Sequence, residues 1–273
     1  MRVALQRAAH QLLDTPLILN DPLALRIIGE EVTQKLQANP EDQQNRLARG
    51  LRAAMVVRSR FAEDELAGIV ARGIRQYVVL GAGLDTSAFR LPQPTERLRV
   101  FEVDYPAMQD WKRERLAAAG IALPSELTFV PVDFETQNLA EELQSAGFDP
   151  GAPAFFSWLG VTPYLTGDAL FEMLRYVAAR PRGTTIVFDY VLAPAALSLI
   201  EKTVLEAMAQ RVAQAGEPWR SSFLPDELET ELRTLGFTKI LDAGALLLNK
   251  RYCHERADGL KVGNVVHLMR AEV

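Results

Sequence analysis

The chain has 273 residues, 48% of them apolar, and a formal net charge of -5. That length and apolar share suffice for a sizeable core in one α/β unit with decorations. The acidic balance excludes a whole-chain attraction to nucleic acid or anionic membrane, and the single cysteine, Cys253, excludes a disulfide framework or a cysteine-rich metal site.

The opening run Met1-Arg2-Val3-Ala4-Leu5-Gln6-Arg7 lacks the apolar core of a secretion signal. No apolar run approaches the roughly 18 to 20 residues that span a bilayer. A protein of the reducing cytoplasm is expected, with Cys253 a lone thiol, no metal and no membrane partner.

Residues 1–74 read as a helical cap. Apolar spacing predicts helices over Arg7 to Leu13, Pro22 to Ile28 and Leu51 to Val70. Asn20 or Asp21 is placed to cap the second, with Pro22 in its first turn, and Arg72-Gly73 closes the third. Residues 75–191 alternate strands and helices. The strands are Gln76 to Leu80, Arg99 to Val103, Leu127 to Val132, Ala154 to Trp158 and Thr184 to Tyr190. Helices over Tyr105 to Ala119, Leu139 to Ala146 and Asp168 to Ala179 lie between them, a pattern that predicts a parallel sheet covered by helices.

Residues 192–224 are longer than a connection needs. They hold a helix over Ala195 to Ala215, broken at Gly216-Glu217-Pro218-Trp219, and such an insertion is expected to act as a lid. Residues 225–273 read as a helix over Pro225 to Leu235 and two strands, Phe237 to Leu247 and Val262 to Met269. No helix is expected between these strands, which makes them antiparallel neighbours, and Asn249 to Asn264 reads as a turn or loop. The expected fold is α/β in one domain, with a mostly parallel seven-stranded sheet and an antiparallel last strand.

Ligands of such sheets sit outside the carboxyl ends of the strands. The first strand runs into Gly81-Ala82-Gly83-Leu84-Asp85-Thr86, where glycine allows a tight turn and close approach of a ligand to the backbone. The second ends in Glu102-Val103-Asp104, and Asp104 stands 21 positions beyond Gly83, the distance expected for a ribose acceptor. Asp104 also fits as the cap of the helix that starts at Tyr105-Pro106, and the two roles are not exclusive. Alternation along the strand is taken to turn Glu102 to the opposite face. The third strand leads to Asp133-Phe134, a carboxylate and ring suited to adenine, or a plain turn; the fourth leads to Ser157-Trp158-Leu159-Gly160.

A dinucleotide turn wants a third glycine where this chain has Thr86, and Asp85 puts a negative charge where a pyrophosphate would lie. The ligand is therefore expected to be cationic or zwitterionic, and S-adenosylmethionine fits that description. An NAD-dependent oxidoreductase is the disfavoured alternative, and a methyltransferase-like binding protein without catalysis is a further one.

These residues carry a resemblance. Leu80-Gly81-Ala82-Gly83-Leu84-Asp85-Thr86 with Phe89-Arg90-Leu91, Phe101-Glu102-Val103-Asp104-Tyr105-Pro106, Val130-Pro131-Val132-Asp133-Phe134 and Gly160-Val161-Thr162-Pro163-Tyr164-Leu165 resemble class I methyltransferases of the leucine carboxyl methyltransferase superfamily. The bacterial O-methyltransferase branch, which includes polyketide carboxyl methylases of secondary metabolism, is the most similar part. The resemblance implies a Rossmann-like fold and S-adenosylmethionine as cofactor. It places Gly81 and Gly83 under the methionine arm, Asp104 at the ribose, and Asp133 with Phe134 at the adenine, with Ala82, Asp85, Tyr105 and Ser157 also among the expected cofactor-binding residues. It also implies an upstream arginine for the cofactor carboxylate, matched by Arg58 with Arg60 as the alternative. A glutamate common in relatives is Leu159 here, so a contact to the cofactor's amino group is lost or comes from elsewhere, from Asp85 or a backbone carbonyl.

Methyl transfer from a sulfonium is an in-line displacement that asks the protein to align the groups and exclude water. A carboxylate acceptor needs no general base, whereas a hydroxyl wants one. The chain has only His10, His254 and His267, so a carboxylate on a small molecule is the expected acceptor. No catalytic residue is assigned. His10, Trp158, Tyr164 and Arg220 are the expected substrate contacts, and the oligomeric state is not readable from the sequence.

Overall fold

The computed structural model describes residues 1–91, 98–133 and 136–273. Two units make up the chain: Met1–Phe148 with Leu248–Val262, and Asp149–Leu247 with Gly263–Val273. Among the described residues there are seven strands, mostly parallel, in an α/β Rossmann-like arrangement.

The first unit opens with α1 (Arg2–Leu13), α2 (Ala24–Ile28), α3 (Glu30–Ala38) and α4 (Arg46–Ala71). Asn45 caps α4 by accepting the Ala48 N–H at 2.9 Å. Helix α3 escapes the apolar-spacing reading because Leu36 is its one buried residue. Strands β1 (Gln76–Leu80) and β2 (Arg99–Asp104) follow, then α5 (Pro106–Ala118), β3 (Leu127–Pro131) and α6 (Leu139–Ser145). The strands pair in parallel in the order β3-β2-β1, with Val79 opposite Glu102 and Val103 opposite Val130. β1 is buried along its whole length, as expected of a Val-rich strand covered on both faces. Ala4, Ala8 and Ala9 of α1 pack with Ile27 and Ile28 of α2, Leu84 and Leu116, so the helical cap shares one core with the glycine turn.

The second unit contains β4 (Phe155–Trp158), α7 (Gly167–Ala178), β5 (Thr185–Val191), α8 (Leu199–Ala213), α9 (Pro225–Leu235), β6 (Lys239–Ala243) and the start of the last helix, as far as Leu247. α10 (Ala245–Tyr252) and β7 (Val266–Glu272) complete the chain. β4 is parallel to β5, and β7 lies antiparallel between β5 and β6. The antiparallel ending agrees with the sequence reading, but α10 overturns the expectation of no helix between the last two strands. The strand expected to reach Leu247 stops at Ala243. In Ala245-Leu246-Leu247-Leu248 only Leu248 is buried, while Leu246 is 88% exposed. One buried position in a turn is the helical burial pattern, and a short apolar run does not reveal it.

No helix of the described residues is long and apolar enough to cross a membrane. Cys253 is buried, and burial pushes its thiol pKa up, which leaves it a poor nucleophile.

Candidate functional site: the glycine turn and its carboxylates

In the first unit, β1 delivers the chain to Gly81 and Gly83, whose φ angles of 70° and 45° only glycine adopts without strain. The turn then folds its own amides inward. The N–H groups of Gly81 and Ala82 donate to the Val103 carbonyl at 2.8 and 3.1 Å, and that of Asp85 donates to the Ala82 carbonyl at 2.7 Å. The Gly83 N–H donates to Asp104 Oδ2 at 2.6 Å, and the Ser87 N–H to Asp85 Oδ1 at 2.7 Å. A pyrophosphate is held by free amides at a helix amino terminus. Here five amides are engaged, and the turn continues into a short 3₁₀ segment, Ser87–Phe89. The site does not fit a dinucleotide.

Asp104 closes β2. Its Oδ1 accepts the Tyr105 N–H at 2.8 Å and its Oδ2 accepts the Gly83 N–H. It does not act as a cap: Tyr105 is the N-cap of α5, without a side-chain capping bond. A carboxylate has about four acceptor directions, so the half-exposed Asp104 retains acceptor capacity beside the exposed ring of Tyr105. That remaining acceptor capacity suits a ribose diol. Asp133 follows β3 in a turn, its N–H donating to Gln137 Oε1 at 2.9 Å and its carbonyl accepting from Thr136 and Gln137. Phe134 lies outside the described residues.

The sequence reading of Glu102 needs correction. A spacing of two puts Glu102 and Asp104 on the same face of a strand, not on opposite ones. Glu102 is fully buried and pairs with Lys112 of α5 at 2.5 Å. Burial pushes its carboxyl pKa up, and Asp85 and Asp104 add to this against the pull of Lys112.

Of the two upstream arginines, Arg58 is buried in α4, whereas Arg60 is half-exposed and pairs with Asp64 at 2.7 Å. Asp64 also accepts from Tyr252 Oη at 2.8 Å and from Arg251 at 3.1 Å, so Arg60 belongs to a structural cluster. Arg58 is the better placed of the pair for a buried anion.

A third arginine, missed in the sequence, reaches the turn. Arg7 of α1 donates to the Leu84 carbonyl and lies 3.4 Å from Asp85 Oδ2. Nearby, Thr86 donates to Asp21 Oδ2 at 2.7 Å and accepts from Arg90 at 3.2 Å. Arg90 grips Glu63 with two nitrogens, at 3.1 and 2.5 Å, and pairs with Asp21 at 3.2 Å. Thr86 therefore stands where a dinucleotide turn has glycine because its hydroxyl ties the turn to α4 and to the segment before α2. Contacts spanning 65 to 78 residues leave no local signal. The one available hint was a set of charged residues on an otherwise apolar helical face.

The expected substrate contact His10 is enclosed by protein groups. It is fully buried, with Nδ1 2.7 Å from Asp14 Oδ2 and Nε2 accepting the N–H groups of Ile18 and Leu19 at 2.9 and 3.3 Å. Both ring nitrogens are engaged. Asp14 also receives the fork of Arg52, at 2.7 and 2.9 Å. Burial opposes its ionisation, but the bonds from His10 and Arg52 prevail and lower its pKa to about 2.

In the second unit, Ser157 and Trp158 are buried in β4, and Trp158 packs against Phe188 at a centroid distance of 6.4 Å. Trp158 is thus a core aromatic with little surface to offer a substrate. Tyr164 and Arg220 are brought to one place: the N–H of Arg220 donates to the Pro163 carbonyl at 2.7 Å, and Ser221 Oγ donates to the Thr162 carbonyl at 3.1 Å. The exposed Arg220 side chain stands beside the half-buried Tyr164 turn. Leu159 is a partly buried apolar residue with no carboxylate to offer. The suspected lid helix α8 buries none of its residues. Among the described residues no group of three or more His, Cys, Asp or Glu stands together to hold a metal ion.

Known proteins bear on this geometry. The leucine carboxyl methyltransferase family model matches residues 1–178. A Bacillus subtilis (strain 168) protein provisionally named an S-adenosyl-L-methionine-dependent methyltransferase, YktD, is 32% identical over 98% of this chain and 95% of its own length. A provisionally named protein of the same description from Saccharopolyspora erythraea is 36% identical, covering 70% of this chain and 66% of its own. In fold, the crystal structure of a provisionally named methyltransferase from Thermobifida fusca YX superposes with a TM-score of 0.58 at 16% identity, over 99% of this chain and 93% of that one. With the family model covering well over half of its residues, this chain belongs to the leucine carboxyl methyltransferase family.

Proposed function

We propose that this protein is an S-adenosyl-L-methionine-dependent O-methyltransferase acting on a carboxylate of a small molecule. The observation that carries the reading is the glycine turn. Its amides face inward and the carboxylates of Asp85 and Asp104 stand beside it, so it suits an adenosine with a positively charged arm and repels a pyrophosphate. When bound, the cofactor would supply a methyl group on a sulfonium: the acceptor oxygen would bond to the methyl carbon in line as the carbon–sulfur bond breaks and S-adenosylhomocysteine leaves.

The chain's own part is to bind and align. Gly81, Ala82 and Gly83 let the cofactor's arm approach the backbone, Asp104 accepts the ribose hydroxyls with Tyr105 alongside, and Asp133 with Phe134 takes the adenine. Arg58 would hold the arm's carboxylate, which a guanidinium fork suits. Tyr164 and Arg220 of the second unit orient the acceptor, and a guanidinium suits a carboxylate there.

The histidines support a carboxylate acceptor. His10 is engaged at both nitrogens, His267 lies between Asp242 at 2.8 Å and Asn264 at 3.1 Å, and His254 is exposed beside Glu255. An ionised carboxylate attacks without a base. Calorimetry with S-adenosylhomocysteine and NAD tests the cofactor; binding of NAD alone overturns the reading. Transfer of labelled methyl to a panel of acids and phenols tests the acceptor. A methyl ester releases labelled methanol in base, whereas an ether does not, so base-stable product would exclude the carboxylate.

A further inference from the structure

The second unit holds a buried histidine whose hydrogen bonds lead from the sheet to a surface helix. His267, near the start of β7, stands opposite Tyr190 of β5. Their rings meet edge to face with centroids 5.9 Å apart. His267 Nδ1 lies 2.8 and 3.0 Å from the two carboxylate oxygens of Asp242 on β6. Tyr190 Oη donates to the same carboxylate at 2.9 Å. Burial, with Asp242 after it, pushes the Tyr190 pKa up, so the phenol stays a donor. On the other side of the ring, His267 Nε2 lies 3.1 Å from Asn264 Oδ1. Both ring nitrogens thus face oxygen acceptors, and only the imidazolium donates from both. The ring is also walled in, since a Cβ on Gly244 would lie 2.6 Å from its Cε1.

Asn264 passes the connection on. With Oδ1 turned to His267, its amide NH₂ is left to donate to Glu201 in the first turn of α8. Glu201 in turn accepts the Ser198 N–H at 2.8 Å, and Ser198 Oγ accepts the Glu201 N–H at 3.4 Å, which is the capping box. The bonds from Ser198, then that from Asn264 and the charge of His267, hold the Glu201 carboxyl below its usual range against burial. The chain before β7 is fixed in place, with the Val265 carbonyl accepting the Leu192 N–H at 2.9 Å. Other charges on the packed elements are engaged or further off. Arg270 on β7 pairs with Glu272 at 3.1 Å, and Asp226 of α9 acts on Tyr190.

We infer that the proton on His267 Nε2 latches the start of α8 to the sheet, and that its loss to water turns the Asn264 amide over and releases the helix. Neutral His267 keeps its Nδ1 proton toward Asp242 and presents a lone pair at Nε2. Asn264 then satisfies the ring only by turning its NH₂ to it. That places the Asn264 carbonyl against the Glu201 carboxylate, acceptor against acceptor, and the bond to α8 is gone. One amide serves both neighbours only while the ring is charged. Histidine ordinarily changes charge between about pH 5 and 8, so the latch holds on the acid side and opens on the alkaline side. α8 buries none of its residues, which leaves few other contacts to hold it once its start is free. It stands in the connection that leads from β5 to Arg220, so the latch sets the order of that connection whatever the acceptor proves to be.

Hydrogen exchange of the full chain tests this, read by mass spectrometry at about pH 5.5 and pH 8 and scaled to unstructured peptides at each pH. The first two turns of α8 should open about 3- to 10-fold more readily at the higher pH, the worth of one hydrogen bond. β5 and β7 should stay level. His267→Gln puts a donor near the Nε2 position at either pH, so the difference should vanish with α8 kept at its acid-side protection. Asn264→Asp has nearly the same shape but no donor for Glu201, and its α8 should be open at both pH values. A wild-type difference below about threefold overturns the latch without any variant. A difference of unchanged size in His267→Gln overturns it too, because another group then titrates. Wild-type behaviour of Asn264→Asp does the same, because the amide then carries nothing to α8.

Discussion

Helices α1 and α8 are both additions to the strand–helix alternation, and they are held in opposite ways. α1 buries Gln6, Arg7 and His10 together with three alanines. Its polar groups reach Asp14, Leu84 and Asp85. α8 buries none of its residues and exposes Leu199 at 83% and Ile200 at 78%. It is secured at its start, where Ser198 and Glu201 form a capping box. The difference separates two accessories that look alike as helices. One is wired by buried charge into the glycine turn, and the other is secured at its capped start.

The comparison breaks first on stability. Arg52→Met leaves Asp14 buried with His10 alone, and breaking a buried pair in this way costs about 3–5 kcal/mol. Urea denaturation should show that loss; a cost below about 1 kcal/mol would mean that the layer containing α1 is no more firmly held than α8.

Next comes ligand affinity. Asp104→Asn keeps an acceptor but turns a charged group into a neutral amide, so affinity for S-adenosylhomocysteine should fall about 10-fold or more. The Arg220→Ala variant should instead weaken the acceptor while leaving that affinity unchanged. If Arg220→Ala leaves both acceptor affinity and turnover untouched, the role given to the lid side is wrong.

The acid limb sharpens the same contrast. The Asp14 pKa in the folded chain, about 2, lies below its ordinary 3.8. Its contribution is therefore fully present above about pH 4 and is lost as pH falls through about 2. The stability gap between wild type and Arg52→Met should narrow over that window and stay level above it. Smallest of all, Ser198→Ala should cost about 0.5–2 kcal/mol by loss of the cap, seen as faster amide exchange confined to α8. Leu199→Gln, on an exposed position, should stay within about 0.5 kcal/mol.

Local physics made much of the fold legible in the sequence. Gln76–Leu80 was read to the residue because β-branched and apolar residues meet glycine there. Pro225–Leu235 was read to the residue because proline opens it and Gly236 ends it. The glycine turn and Asp104 are equally local, since each is a strand end with a short side chain next to the backbone. Missed features have the opposite character. α10 is an eight-residue helix that begins in an apolar run which also reads as strand. His10 looked available because its sequence neighbours do not reveal that Asp14, Ile18 and Leu19 surround its ring.

By itself, then, the amino-acid sequence determined the strand–helix alternation, the turn at Gly81 and Gly83, and the acidic character that turns a phosphate away. Only the tertiary structure decided which charges stand around that turn. Arg7, Asp21, Lys112 and Glu102 meet Asp85 and Thr86 or the groups beside them from separate elements. Propensity acts between neighbours in the chain, whereas an ion pair depends on distance in space and on the water removed around it.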